Sequence, residues 1–85
     1  MTTWRNEITK AMKADNDSWD NVKACTLSED ELDIEFDNGY GESEGLPFTL
    51  WTKRRVYFPV VYDGAEWVSS VPRKPCKEAT FHIGG

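Results

Sequence analysis

The sequence predicts an α+β fold: one N-terminal α-helix packed on an antiparallel sheet of about five strands built from hairpins. Three observations predict it. Apolar residues recur with helical spacing in residues 3–13, and the later segments are short and rich in β-branched and aromatic residues. An Asp-Gly pair at 63–64 between two such segments is a strong hairpin signal. At 85 residues the chain is expected to form a single domain, 1–85.

The first predicted element is the helix over residues 3–13. Thr2 or Thr3 is a suitable N-cap, and the polar run at 14–18 ends the helix. A helix this short is marginal alone, so it must dock against the sheet. Its docking face repeats every 3.6 residues and consists of Trp4, Ile8, Ala11 and Met12.

A first hairpin is predicted from strands at 21–27 and 32–37, joined by a polar turn at 28–31. The second of these strands alternates strictly between apolar and acidic residues, which is typical of a half-buried strand. Its inward side chains would be Leu32, Ile34 and Phe36. Its outward side chains would be Asp33, Glu35 and Asp37.

A second hairpin is predicted from residues 55–62 and 65–71 around the Asp-Gly turn. A two-residue turn pairs Tyr62 with Ala65 and sets the remaining register. Pro59 then falls where its missing N–H faces away from the partner strand, so the other side of that strand should be open or bulged.

Two further segments complete the sheet and the chain. A Gly-rich connection at 38–47 leads into a third strand at 47–52. Residues 72–85 contain two prolines and little periodicity, which predicts an irregular C-terminal tail.

Charge is distributed unevenly along the chain. Residues 1–47 carry four Lys/Arg against twelve Asp/Glu, a net of −8, and residues 48–85 carry six against three, a net of +3, which together give −5. Acidic charge opposes direct binding to nucleic acid or to anionic membranes and favours a basic partner. The alternative is that the charge only keeps a small protein soluble.

The cellular setting is also predicted from composition. No run of apolar residues is long enough to span a membrane, and the charged N-terminus does not resemble a signal peptide. We therefore expect a cytoplasmic protein, with Cys25 and Cys76 as reduced thiols.

The densest acidic stretch, residues 29–44, has eight carboxylates and no Lys or Arg. Along a strand, alternate carboxylates would lie about 6.6–6.8 Å apart, near the spacing of nucleic-acid phosphates. Such a row is suited to a basic groove, although it is equally typical of the solvated face of a sheet. The predicted partner-binding residues are Glu31, Asp33, Glu35, Asp37, Glu42 and Glu44, with exposed Trp51 and Tyr57 as apolar anchors.

No catalytic residue, metal site or cofactor is predicted. The single histidine, His82, lies in the expected tail, and the acidic neighbours of Cys25 disfavour a reactive thiolate. Cys25, Cys76 and His82 have no zinc-site spacing. Asp37, Asn38, Glu42 and Glu44 lack the spacing of a calcium loop, and the loop glycines lack a phosphate-binding context.

Two rival functions remain open. Lys53, Arg54 and Arg55 stand among aromatic residues, a pattern that fits a nucleic acid or an acidic partner, although they could instead pair across the sheet with Asp33, Glu35 or Asp37. The chain also ends in Gly-Gly at 84–85, which resembles ubiquitin and the bacterial sulfur carriers and implies adenylation of the terminal carboxylate.

The run EGLPFTLWTKRRVYFPVVYDGAEWVSSVPRKP, residues 44–75, resembles small proteins of tailed phages and prophages. The resemblance covers about a third of the chain and carries no established activity. It implies a bacterial host and a class of small inhibitors, anti-CRISPR proteins among them, that bind a host nucleic-acid-handling or defence complex. The expected partner is therefore a host protein with a basic surface.

Overall fold

The computed structural model describes residues 1–37, 45–63 and 65–79. One N-terminal helix packs on a four-stranded antiparallel sheet with strand order β1-β2-β3-β4, so the fold is α+β. Four strands form in the described residues, where the sequence predicted about five. The elements are α1 (Trp4–Ala14), a 3-10 helix (Trp19–Asn21), β1 (Val22–Cys25), α2 (Glu29–Leu32), β2 (Leu50–Thr52), β3 (Arg55–Tyr62) and β4 (Ala65–Pro72).

Helix α1 begins and ends where its capping residues predict. The Thr3 hydroxyl accepts a hydrogen bond from the Asn6 backbone N–H at 3.1 Å, as an N-cap does. Asp15 closes the C-terminus by donating its backbone N–H to the carbonyl oxygens of Ala11 and Lys13. The predicted helix is therefore confirmed to within one residue at each end.

The core lies between α1 and one face of the sheet, which we call the inner face. Trp4 is almost fully buried, with its indole ring 4.6 Å from the ring of Phe36 and 5.0 Å from that of Phe48, centroid to centroid. Rings at these distances contribute favourable contacts beyond their buried area. The buried core residues are Trp4, Ile8, Met12, Leu32, Phe36, Phe48, Leu50, Tyr57 and Val68.

The β3–β4 hairpin has the predicted register, with Tyr62 paired with Ala65 and Pro59 paired with Val68. Asp63 in its turn adopts φ = 50°, a conformation that Asp tolerates better than most residues. Strand β2 pairs with β3 only as far as Tyr57, so no β2 partner faces Pro59. Among the described residues, no strand pairs with β3 on this side at Pro59, as the prediction of an open or bulged position requires.

The predicted first hairpin is wrong. Strand β1 pairs with β2, and the segment after it forms the single helical turn α2 instead of a strand. The cause is local, because Ser28 and Glu31 form a reciprocal capping box that starts a helix. Leu32 and Phe36 are buried as predicted, but Ile34 is 52% exposed.

The remainder of the described chain is irregular. Residues 73–79 contain no helix or strand, in line with the predicted tail, and the rest of that tail, 80–85, lies outside the described residues. The predicted connection at 38–47 is described only from Gly45 onward. Neither helix of the described chain has the length and apolar character needed to cross a membrane.

Candidate protein-binding surface

The acidic segment lies on the surface around α2. Four of its carboxylate residues are exposed, and Glu31 and Asp37 are half-buried. We call the side chains of this segment the acidic surface, which consists of Glu29, Asp30, Glu31, Asp33, Glu35 and Asp37.

Arg5 fixes the acidic surface to helix α1. Its Nε lies 2.6 Å from Asp33 Oδ1, and one terminal nitrogen lies 2.6 Å from Glu29 Oε2. The guanidinium also stacks over the Trp19 ring, 5.4 Å from the ring centroid. The hydrogen bonds to Asp33 and then Glu29 raise the pKa of Arg5 above its ordinary value. One cation therefore holds two carboxylates that are 28 and 24 residues away in sequence.

The structure does not form the predicted row of evenly spaced carboxylates. Glu31 is occupied in the capping box, where its Oε1 accepts from the Ser28 N–H at 2.9 Å, and Asp33 is held by Arg5. Asp30 and Glu35 are exposed, and no described residue forms an ion pair or hydrogen bond with either carboxylate. The predicted extensions of the row, Glu42 and Glu44, lie outside the described residues.

The two predicted aromatic anchors have different positions. Tyr57 is fully buried on the inner face of the sheet, so its prediction as an exposed anchor is wrong. Alternation along β3 places Tyr57 inward, opposite Leu50 of β2. Trp51 follows Leu50 in β2, so it points to the opposite face of the sheet, and it is half-buried.

Tyr57 belongs to a partly buried polar network centred on Asp17. Asp17 Oδ2 accepts from the Tyr57 hydroxyl at 2.9 Å and from the Thr52 hydroxyl at 2.8 Å, and Oδ1 accepts from Asn21 Nδ2 at 2.9 Å. Burial acts to raise the pKa of the Asp17 carboxyl, but the hydrogen bonds from Asn21, Thr52, Ser18 and Tyr57 outweigh it and the pKa is lowered. Burial, followed by the hydrogen bond to Asp17, raises the pKa of Tyr57 far above 10. The network therefore has a structural role.

The predicted basic trio does not form a common surface. Arg55 is largely buried and bonds to both carboxylate oxygens of Glu78, at 2.8 and 3.1 Å, while its Nε donates to the Ser70 hydroxyl at 2.7 Å. Arg54 donates to the Asn16 carbonyl oxygen at 3.0 Å. Only Lys53 is exposed without a described partner.

Cross-sheet pairing of these basic residues with the acidic segment was also predicted. Arg55 instead pairs with Glu78 and lies 3.4 Å from Asp15 Oδ2, near the C-terminus of α1. The reason is topological, because the segment expected to form a neighbouring strand has folded as α2. The hydrogen bond to Glu78 is the main cause of a raised pKa for Arg55, and it lowers the pKa of the Glu78 carboxyl.

Metal and catalytic chemistry depend on clusters of reactive side chains. Within residues 1–37, 45–63 and 65–79, no three His, Cys, Asp or Glu residues are grouped as metal ligands would be. Cys25 and Cys76 are free cysteines. His82 and the Gly-Gly terminus lie outside the described residues, so their predicted roles stay predictions.

Comparison with known proteins assigns neither a family nor a function to the chain. No protein-family model, no curated protein and no solved structure matches the chain. The resemblance of residues 44–75 to tailed-phage proteins therefore stays a prediction, and the functional argument depends on the chain's own geometry.

Proposed function

We propose that this chain is a protein-binding protein whose acidic surface contacts a basic surface of its partner. One observation carries the proposal: Arg5 holds the segment around α2 in place while Asp30 and Glu35 extend into solvent without a described cationic partner. Charges held in position before binding lose less conformational freedom on association, so more of the interaction energy remains as affinity.

The composition of the acidic surface supports an interface. Ile34 lies among the carboxylates with 52% of its surface exposed, which provides apolar contact area beside the charges. Interfaces combine an apolar contact with a polar rim, and rim charges mainly accelerate association. A partner with lysines or arginines around an apolar contact fits this arrangement.

The proposed class of partner is a host nucleic-acid-handling or defence complex, with the chain acting as an anti-CRISPR-like inhibitor in the bacterial cytoplasm. Two features support this class: the resemblance of residues 44–75 to tailed-phage proteins, and a net charge of −5. A surface that binds nucleic acid is basic, so an acidic protein can compete for it. The proposed action is binding, without catalysis.

Affinity capture from bacterial lysate tests the proposal. The double variant Asp30→Asn/Glu35→Gln removes two exposed, unpaired carboxylates from the acidic surface. Its matched control, Asp20→Asn/Asp63→Asn, removes two exposed carboxylates elsewhere. Asn also tolerates the φ of 50° found at position 63.

We expect wild type and the control to capture the same partner, and the Asp30/Glu35 variant to lose it while folding normally. Equal capture by all three proteins would show that the acidic surface is exposed to solvent but does not bind the partner. Loss in both variants would indicate an effect of total charge, and it would also contradict the proposal.

A further inference from the structure

The outer face of the sheet, opposite α1, is apolar and aromatic. Strand alternation separates it from the inner face: Glu66, Val68 and Ser70 of β4 are buried toward the helix, and the residues between them point outward. Register extends this face across β2 and β3. Its large side chains are Trp51, Val56, Phe58, Val60, Trp67 and Val71. None belongs to the core cluster, and all are half-buried except Val60, which is buried.

Three aromatic rings cross this face diagonally. Trp51 of β2 is paired with Val56, two residues before Phe58 on β3. Phe58 is paired with Ser69, two residues after Trp67 on β4. Diagonal neighbours on one face of a sheet are about 7–8 Å apart, within reach of aromatic side chains. The half-buried side chains of Trp51, Phe58 and Trp67 therefore occupy diagonal positions on the outer face of β2, β3 and β4.

Exposed cations flank these rings at one end. Lys23 lies at the bulge between Val22 and Ala24 in β1, and Lys53 lies in the β2–β3 turn. Arg73 and Lys74 follow β4 directly, and Arg73 donates to the Thr52 carbonyl oxygen at 2.9 Å. The three lysines have no ion-pair or hydrogen-bond partner in the described chain.

We propose that the outer face binds single-stranded nucleic acid. Aromatic rings on an open sheet face provide stacking surfaces for bases, and adjacent lysines provide contacts to phosphates. The four cations beside the rings supply the charge complementarity that a polyanion requires. This activity goes beyond the proposed protein binding and does not depend on it.

The acidic surface does not oppose this placement. Arg5 attaches the acidic surface to α1, which packs on the inner face, so the sheet separates it from the three rings. Charges more than about 8 Å apart in water are largely screened at physiological salt.

Fluorescence anisotropy with a labelled oligothymidylate of about 12 nucleotides tests the inference, a length within the roughly 4–16 nucleotides that single-strand-binding OB-fold domains contact. Trp51→Leu and Trp67→Leu remove stacking and keep apolar bulk. Trp19→Leu is the matched control, because Trp19 is also half-buried but lies on the helix side. Lys23→Gln/Lys53→Gln/Lys74→Gln removes the phosphate contacts, with Lys13→Gln on α1 as its control.

We expect wild type to bind with a Kd between about 1 and 100 µM at physiological salt. Each outer tryptophan variant should bind about 5- to 150-fold more weakly, and Trp19→Leu should bind like wild type. The triple lysine variant should lower the slope of log K against log salt by about 2. Circular dichroism checks that every variant is folded.

Three results would overturn the inference. The first is no anisotropy change with wild type at low salt. The second is undiminished binding by folded Trp51→Leu and Trp67→Leu. The third is absence of oligonucleotide binding together with a dimer in size-exclusion chromatography, which would assign the outer face to a second copy of the chain. The acidic variant Asp30→Asn/Glu35→Gln should bind the oligonucleotide at least as tightly as wild type, so this test is separate from that of the proposed function.

Discussion

The Tyr57 hydroxyl donates a hydrogen bond of 2.9 Å to the Asp17 carboxylate, joining the sheet to the segment that follows α1. The same Asp17 oxygen accepts from Thr52, which also receives the backbone N–H groups of Arg54 and Arg55 in the β2–β3 turn. This single carboxylate therefore positions both the helix exit and a hairpin turn.

The first prediction concerns this hydrogen bond. Tyr57→Phe should lower the free energy of unfolding by about 1–2 kcal/mol, because the half-buried Asp17 carboxylate loses one donor but keeps its others. Urea denaturation measures the change. Tyr62→Phe is the matched control, since Tyr62 is 55% exposed and its loss should cost about 0.5 kcal/mol or less. Equal effects of the two substitutions would mean that the bond to Asp17 contributes nothing.

The second prediction concerns pH. The pKa of the Asp17 carboxyl is lower in the folded protein than its ordinary value of 3.8. Its contribution to stability is therefore complete above that value and is lost as pH falls through the lower, folded pKa. Wild type should lose more stability between about pH 5 and pH 3 than Asp17→Asn does, as urea denaturation at several pH values would show. Identical pH dependence in the two proteins would contradict the network.

The third prediction concerns Gly45. A Cβ at this position would overlap Trp4 Cζ2 and lie 2.8 Å from Cε2, and the Trp4 ring is buried and cannot move freely. Gly45→Ala should therefore destabilise the fold by about 1–3 kcal/mol and weaken the 2.9 Å hydrogen bond from Trp4 Nε1 to the Leu46 carbonyl oxygen. Thermal unfolding measures the loss of stability. Leu46→Ala, at an exposed position, is the control and should have only a small effect. An unchanged melting temperature for Gly45→Ala would show that this contact is loose.

The fourth prediction separates positioning from stability at the acidic surface. Arg5→Gln removes both ion pairs, but these are exposed and should contribute only about 0.2–1 kcal/mol each. We expect a large loss of partner capture, because Glu29 and Asp33 lose their fixed positions, but only a small decrease in melting temperature. Full capture by Arg5→Gln would show that the ion pairs of Arg5 have no role in binding.

The elements predicted correctly from the sequence are those with strong local signals. Trp4, Ile8 and Met12 repeat at the helical period and are buried as the helix requires. The Asp-Gly turn set the entire β3–β4 register, including the pairing of Pro59 with Val68. In both cases residues close in sequence determine the geometry.

The acidic segment shows where sequence reasoning failed. Leu32, Ile34 and Phe36 alternate like a strand, but Leu32 ends α2, and Phe36 is buried beyond the helix, where it forms a β-bridge with Thr2. Ser28 followed by Glu31 is a signal for a helix start, although the polar run 28–31 equally fits the turn that the sequence predicts there. The capping box decides the conformation, and it leaves Ile34 exposed.

The contacts of the candidate sites could not be read from sequence. Arg5 meets Glu29 and Asp33 only because α2 folds back onto α1, and Asp17 meets Tyr57 across 40 positions of chain. No periodicity in the sequence encodes such long-range polar contacts. Alternation within each strand places Tyr57 and Trp51 on opposite faces once the β2–β3 register is known.

The most direct test of the central claim is zero-length carbodiimide cross-linking of the captured complex, which joins carboxylates to lysines in contact. Tryptic peptide 24–53 contains every carboxylate of the acidic surface, and Asp15, Asp17, Asp20, Asp63, Glu66 and Glu78 all lie in other peptides. The account predicts partner lysines joined to peptide 24–53, with fragment ions locating the links at Asp30 or Glu35. Links confined to the other peptides would contradict the claim that the acidic surface binds the partner.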